Sequence, residues 1–96
     1  MKIICFGKNY VKHIKELNGS FDDDPTVFMK PDSSIIQKNQ PFFIPDFSDE
    51  IHYELELILK FSKVGKHIDK DFSLNYISHF SLGIDFTARD LQNDLK

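Results

Sequence analysis

The chain of 96 residues has a single cysteine, four glycines and four prolines, and nothing resembling a long apolar run. One cysteine excludes an internal disulfide framework. Cys5 sits in the apolar run Ile3-Ile4-Cys5-Phe6 and reads as a small buried hydrophobe in a reducing compartment rather than as a nucleophile. No stretch approaches the roughly 20 apolar residues needed to span a bilayer. The opening Met-Lys and its short apolar run are too brief for a secretory leader, so a cytoplasmic protein without a membrane partner is the expectation. The net charge is −3 and the lysines are dispersed, which argues against a surface that tracks nucleic-acid phosphates. No glycine-rich phosphate loop, internal repeat or low-complexity tract is present. The acidic run Asp22-Asp23-Asp24 reads as a solvated loop. It is not a calcium loop, because Val27 stands where the sharp turn needs glycine.

What is present is a succession of short elements and abundant phenylalanine. Residues 2–6 read as a buried strand bounded by Gly7. Tyr10, Ile14 and Leu17 recur at helical spacing, with Asn9 as N-cap and Asn18-Gly19 as the stop, which predicts a helix over 10–17. Residues 26–30 form a strand halted by Pro31, and 40–45 form an extended, proline-flanked edge segment. The alternation over 51–61 is the strongest strand signal in the chain. A turn follows at 64–66, then a short helix at 74–79 and a strand at 81–86. Thr87 is placed to cap a last helix over 88–96. Asp90 lies in its first turn, and Ala88, Leu91 and Leu95 form an apolar stripe. The fold class is α+β. The last helix is still running at Lys96, without a glycine, asparagine or proline stop. Residues 1–96 are therefore expected to be one incomplete domain, the front part of a longer one.

The residues that could carry chemistry begin with Glu54 and Glu56. A strand turns alternate side chains to one face, so the two carboxylates stand side by side, roughly 6.5 Å apart at Cα. Tyr53, Leu55, Leu57, Leu59 and Phe61 take the opposite face. Close like charges raise each other's cost of ionisation, and a divalent cation removes that conflict. A Glu-x-Glu on a strand can also be simply the wet face of a half-buried sheet. Asp85 shifts the balance, because it ends an apolar strand just before a helix, where a strand fixes a side chain beside an opening. It can equally be a satisfied helix-entry carboxylate. Three carboxylates without cysteine or histidine form a hard oxygen set suited to Mg²⁺, Mn²⁺ or Ca²⁺. His13 and Glu16, at i and i+3 on the first helix, could make an oriented general base, though such pairs also occur on plain helix surfaces. His52, His67 and His79 have no metal-ligand spacing and read as surface or hydrogen-bonded residues.

Four blocks in order give these residues a context: Gly7-Lys-Asn-Tyr-Val-Lys-His-Ile-Lys-Glu16, Phe28-Met-Lys-Pro31, His52-Tyr-Glu-Leu-Glu-Leu57 and Gly83-Ile-Asp-Phe-Thr-Ala-Arg-Asp-Leu-Gln92. Together they closely resemble the fumarylacetoacetate hydrolase family over nearly the whole chain. The resemblance implies the N-terminal portion of that family's mixed β-roll. It also implies a divalent-metal enzyme, with Mg²⁺ or Mn²⁺, that hydrolyses, decarboxylates or isomerises short 2-oxo acids, and a homodimer. Carried over by position, it implies Glu54, Glu56 and Asp85 as metal ligands and His13 with Glu16 as the water-activating dyad. Gln92 would orient water or substrate, Arg89 would lie near the substrate carboxylate, and Lys30 would help hold the loop or the substrate acid. Two departures stand out. Lys8 replaces the arginine of the family's Gly-Arg-Asn-Tyr opening, which keeps charge but loses a planar fork. The family's active-site lysine falls beyond Lys96. The 96 residues alone are therefore expected to be inactive, and a non-catalytic fragment or interaction module is the competing expectation.

Overall fold

The computed structural model of the chain describes residues 1–9 and 25–95. The helix expected over 10–17, with His13 and Glu16, lies outside the described residues. The chain divides into two compact units, Met1–Phe42 and Phe43–Lys96.

In the first unit, β1 (Ile3–Gly7) pairs antiparallel with β2 (Thr26–Lys30), with Ile3 opposite Lys30, Cys5 opposite Phe28 and Gly7 opposite Thr26. Both strands are rich in β-branched and aromatic residues, which suit a pleated surface. Burial alternates along β1, and Ile3, Cys5 and Gly7 are its half-covered face. Lys8 leaves the strand at φ 56°, a left-handed conformation uncommon for a residue with a Cβ. Pro31 stops β2 as expected, and a single 3-10 turn, Asp32–Ser34, follows. There the Ser34 N–H donates to the Pro31 carbonyl at 3.0 Å. The segment over 40–45 joins no ladder among the described residues. Pro41 and Pro45 remove two of the donors a ladder would need.

The second unit is built on a long hairpin. β3 (Ile51–Phe61) coincides with the expected strand, and β4 (Ile77–Ala88) runs antiparallel to it. β4 is longer than expected, because the helix expected over 74–79 does not form as such. A 3-10 helix, Lys70–Tyr76, comes earlier instead, and Ile77 already belongs to the strand. The reason is pairing. The Asp69 carboxylate accepts the Asp71 N–H at 3.0 Å and starts the tight turns. The Ser62 N–H donates to the Tyr76 carbonyl at 3.0 Å, and Phe61 pairs with Ile77 past a register shift at Lys60/Phe61. Ladder hydrogen bonds thereby draw 77–79 out of a helix that local spacing favoured. Gly65 lies at the expected turn, and a Cβ there would come within 2.5 Å of Ile68 Cδ1 and 2.7 Å of Tyr76 Cε1.

The last helix, α1 (Arg89–Asp94), begins one residue later than expected. Thr87 does not cap it. Thr87 is a strand residue opposite His52, and extended Ala88 holds the cap position without a side-chain hydrogen bond. The start is satisfied from elsewhere. The Arg89 N–H donates to the Glu50 carbonyl at 2.8 Å, and Asp90 Oδ1 accepts the Leu91 N–H at 2.9 Å. No helix among the described residues is long and apolar enough to cross a membrane.

The two faces of the hairpin differ sharply. Directly opposed residues of an antiparallel pair share a face. One face therefore carries Tyr53 with Phe86, Leu55 with Ile84, Leu57 with Leu82 and Leu59 with Phe80. This apolar face is open, with Tyr53 76% exposed, Phe80 79% and Leu82 69%. The other face carries Glu54, Glu56, Gly83, Asp85 and Thr87, all half-buried. In this unit the carboxylate side is the better covered.

Candidate functional site

The register puts Glu54 directly opposite Asp85, and Glu56 opposite Gly83. Opposed Cα atoms in an antiparallel ladder lie about 4.5–5.5 Å apart. Glu54, Glu56 and Asp85 thus share one face within reach of one another, two of them placed by the period of β3 and the third by strand pairing. Gly83 leaves room beside Glu56, and Ile58 enters it: a Cβ at Gly83 would collide with Ile58 Cδ1.

Arg89, at the start of α1, reaches this face. It is 8% exposed, among the few buried polar residues described. Its Nη2 donates to Glu54 Oε1 at 2.5 Å, Nη1 to Gln92 Oε1 at 2.6 Å, and Nε to His52 Nδ1 at 3.4 Å. His52 Nε2 lies 3.1 Å from Glu50 Oε1. With Nδ1 accepting from Arg89, the neutral imidazole carries its proton on Nε2 and donates it to Glu50. Gln92 follows Arg89 by three positions, so one helical turn presents both side chains to the same neighbour.

Glu54, Glu56 and Asp85 each interact with neighbours, and Glu54 Oε1 accepts from Arg89. Among the described residues no trio of Asp, Glu, His or Cys side chains is drawn into a cage around one point. The donor set still fits a hard divalent cation in kind, being three carboxylates on one half-buried face. His13 and Glu16 lie outside the described residues. Lys30 ends β2 and Lys8 follows β1, both in the first unit.

A second cluster anchors the start of β3 to α1. Ser48, 7% exposed, donates to Asp90 Oδ1 at 2.6 Å, and the Asp49 N–H donates to Asp90 Oδ2 at 3.0 Å. The Glu50 N–H donates to Ser48 Oγ at 3.3 Å. The Ser48 hydroxyl holds the Asp90 carboxyl below its ordinary range; partial burial opposes this, and the N–H groups of Asp49 and Leu91 reinforce it. Sequence reasoning gave Asp90 the favourable first-turn charge but missed Ser48. No local pattern announces a partner 42 positions away.

Similarity to known proteins follows these same elements. A crystal structure from Oleispira antarctica, of a provisionally named fumarylacetoacetate isomerase/hydrolase, superposes with a TM-score of 0.86 at 36% identity, covering 98% of this chain and 42% of that one. The class of fold is therefore that of the fumarylacetoacetate hydrolases, of which the chain carries a part. The family model "Fumarylacetoacetate (FAA) hydrolase C-terminal" matches residues 2–96, and the chain belongs to that family. Among curated relatives, the mitochondrial oxaloacetate decarboxylase of Dictyostelium discoideum is 40% identical over 96 residues, spanning 99% of this chain and 44% of the relative. The mitochondrial oxaloacetate tautomerase of Arabidopsis thaliana is 35% identical over 95 residues, spanning 99% and 43%. The chain thus covers less than half the length of these relatives. They are enzymes of small acids, and so is the family they represent.

Proposed function

We propose that the chain contributes the metal-binding face of an enzyme that cleaves or isomerises short 2-oxo acids, with Glu54, Glu56 and Asp85 holding Mg²⁺ or Mn²⁺. The observation that carries this reading is the cross-strand pairing of Glu54 with Asp85, with Glu56 on the same face. Three carboxylates brought together this way repel one another, and a cation relieves that cost. A divalent ion held there would supply Lewis acidity towards the keto and carboxylate oxygens of a bound 2-oxo acid.

The chain's own residues supply the rest. Gln92 accepts from Arg89 through its carbonyl oxygen, so its NH₂ is left to donate to a substrate oxygen or a water. Arg89 brings fixed positive charge beside a site for an anionic substrate. His13, oriented by Glu16, would take a proton from water in a hydrolytic reaction. Decarboxylation has no attacking water and would not call on that step, whereas keto–enol exchange would still need a base to move a proton between carbon and oxygen. The names of the relatives span decarboxylation and tautomerisation, so the reaction class is kept at 2-oxo acid chemistry. Homodimerisation belongs to the proposal through family likeness alone.

The open apolar face of β3 and β4 favours a second reading for the 96 residues taken by themselves. They would form a scaffold that carries site residues without turnover, since an uncovered hairpin leaves the site wet and its ligands loosely ordered.

The test is calorimetric titration of the full-length protein with Mn²⁺, followed by turnover of oxaloacetate and an acylpyruvate. Metal-dependent turnover that Glu56→Ala abolishes supports the assignment. Turnover unaffected by that substitution refutes it.

A further inference from the structure

We propose that Arg89 is a positioning residue, whose single buried guanidinium sets the side-chain geometry of Glu54 and Gln92 together, with His52 supporting it. The inference rests on the reading of Glu54 as a metal ligand and adds how that ligand is aimed.

Burial makes the case first. A guanidinium on a residue only 8% exposed is costly to keep unless its donors are matched. Here each edge of the group meets an acceptor: Glu54 at Nη2, Gln92 at Nη1 and His52 at Nε. The fork is planar and rigid, so holding two acceptors on its two ends fixes their relative orientation. The Glu54 side chain is 27% exposed and Arg89 9%, so the ion pair is shielded rather than surface-screened.

The backbone makes the case again. The Arg89 N–H is bonded to the Glu50 carbonyl, and the next residue, Asp90, holds Ser48 and the Asp49 N–H. The root of the Arg89 side chain is therefore fixed to the start of the strand that carries Glu54. His52 stands on the same face of β3 as Glu54, two residues before it, and its Nε2 meets Glu50. His52, excluded as a metal ligand by spacing, thus gains a role as a support.

Charge and orientation act in opposite senses on a cation here. The positive charge of Arg89 repels the cation, whereas a fixed Glu54 spares the ordering cost on binding. Lysine keeps the charge and loses the fork, so Arg89→Lys isolates orientation.

The test uses the full-length protein, with Mn²⁺ affinity read by calorimetry and folding by circular dichroism. Arg89→Lys is expected to weaken Mn²⁺ binding about 10–100-fold, as loss of a group that orients a ligand does. Arg89→Ala removes the repulsion along with the fork, so it is expected to weaken binding less than Arg89→Lys and to recover in part with added guanidinium at sub-denaturing concentration, but not with methylammonium. Should Arg89→Ala not fold, Arg89→Lys decides. Mn²⁺ binding by the wild type that Glu54→Gln abolishes, with Arg89→Lys matching the wild type, overturns this inference alone. No Mn²⁺ binding by the wild type overturns the metal reading and this inference with it.

Discussion

Removing the Glu54 carboxylate should destabilise the protein through Arg89, quite apart from any metal. In Glu54→Ala the guanidinium of Arg89, a residue only 8% exposed in the wild type, loses its anionic partner. Breaking a buried ion pair from one side costs about 3–5 kcal/mol, because the remaining charge is uncompensated. Two features reduce that figure here. Glu54 is itself 27% exposed, so water reaches the vacated position. Gln92 Oε1 at 2.6 Å and His52 Nδ1 at 3.4 Å still accept from Arg89. A loss of about 2–3 kcal/mol remains. In urea unfolding of the full-length protein in EDTA, a slope of about 2 kcal/mol per molar moves the midpoint down by about 1 M. The double variant Glu54→Ala/Arg89→Met should recover a substantial part of this loss, because an apolar chain of similar length replaces the stranded charge. Equal midpoints for wild type and Glu54→Ala would refute the reasoning. So would a double variant less stable than the single one.

Two further outcomes follow from the second unit. Gly65→Ala should destabilise by about 1 kcal/mol: crowding against Ile68 and Tyr76 costs about 1–3 kcal/mol, and the alanine's less flexible unfolded chain returns about 0.4–1. A thermal melt that rises instead would mean the turn can open without loss. The hydrogen bonds to Asp90 favour its charged form in the folded state, so the unfolded chain takes up the proton first as pH falls. Their stabilisation is full above the ordinary aspartate range, near about pH 4, and is lost as pH drops through the lowered folded value. Ser48→Ala removes the largest cause of that lowering and should flatten the acid limb of stability against pH; an unchanged limb would exclude Asp90 as its source.

The parts of the fold legible in the sequence are those set by local period. The alternation from Ile51 to Phe61 gave β3 its bounds and put Glu54 and Glu56 on one face. Pro31 gave the end of β2. The misreadings came where a distant partner outweighed local preference. Residues 77–79 went to the ladder because Lys60 and Phe61 were there to pair with them. Thr87 has the chemistry of a cap but is held in β4, while backbone and carboxylate bonds from 48–50 take over that duty. Asp85 was legible as a strand-end carboxylate, but its position across from Glu54 depends on register, which no single strand encodes. The grip of Arg89 on Glu54 joins residues 35 apart, and spacing alone does not announce it.

The misalignment of the ladder at Lys60/Phe61 has a bearing on how this protein can change over time. Side chains alternate between faces, so sliding β4 by one position would carry Asp85 to the leucine side and leave Glu54 facing a phenylalanine or an isoleucine. The loop between the strands, with its crowded glycine and its 3-10 helix, sets where the count begins. Lengthening or trimming that connection is thus a change to the acidic trio itself. Such edits should be accepted where the bulge absorbs them, and otherwise should erase the site in a single step.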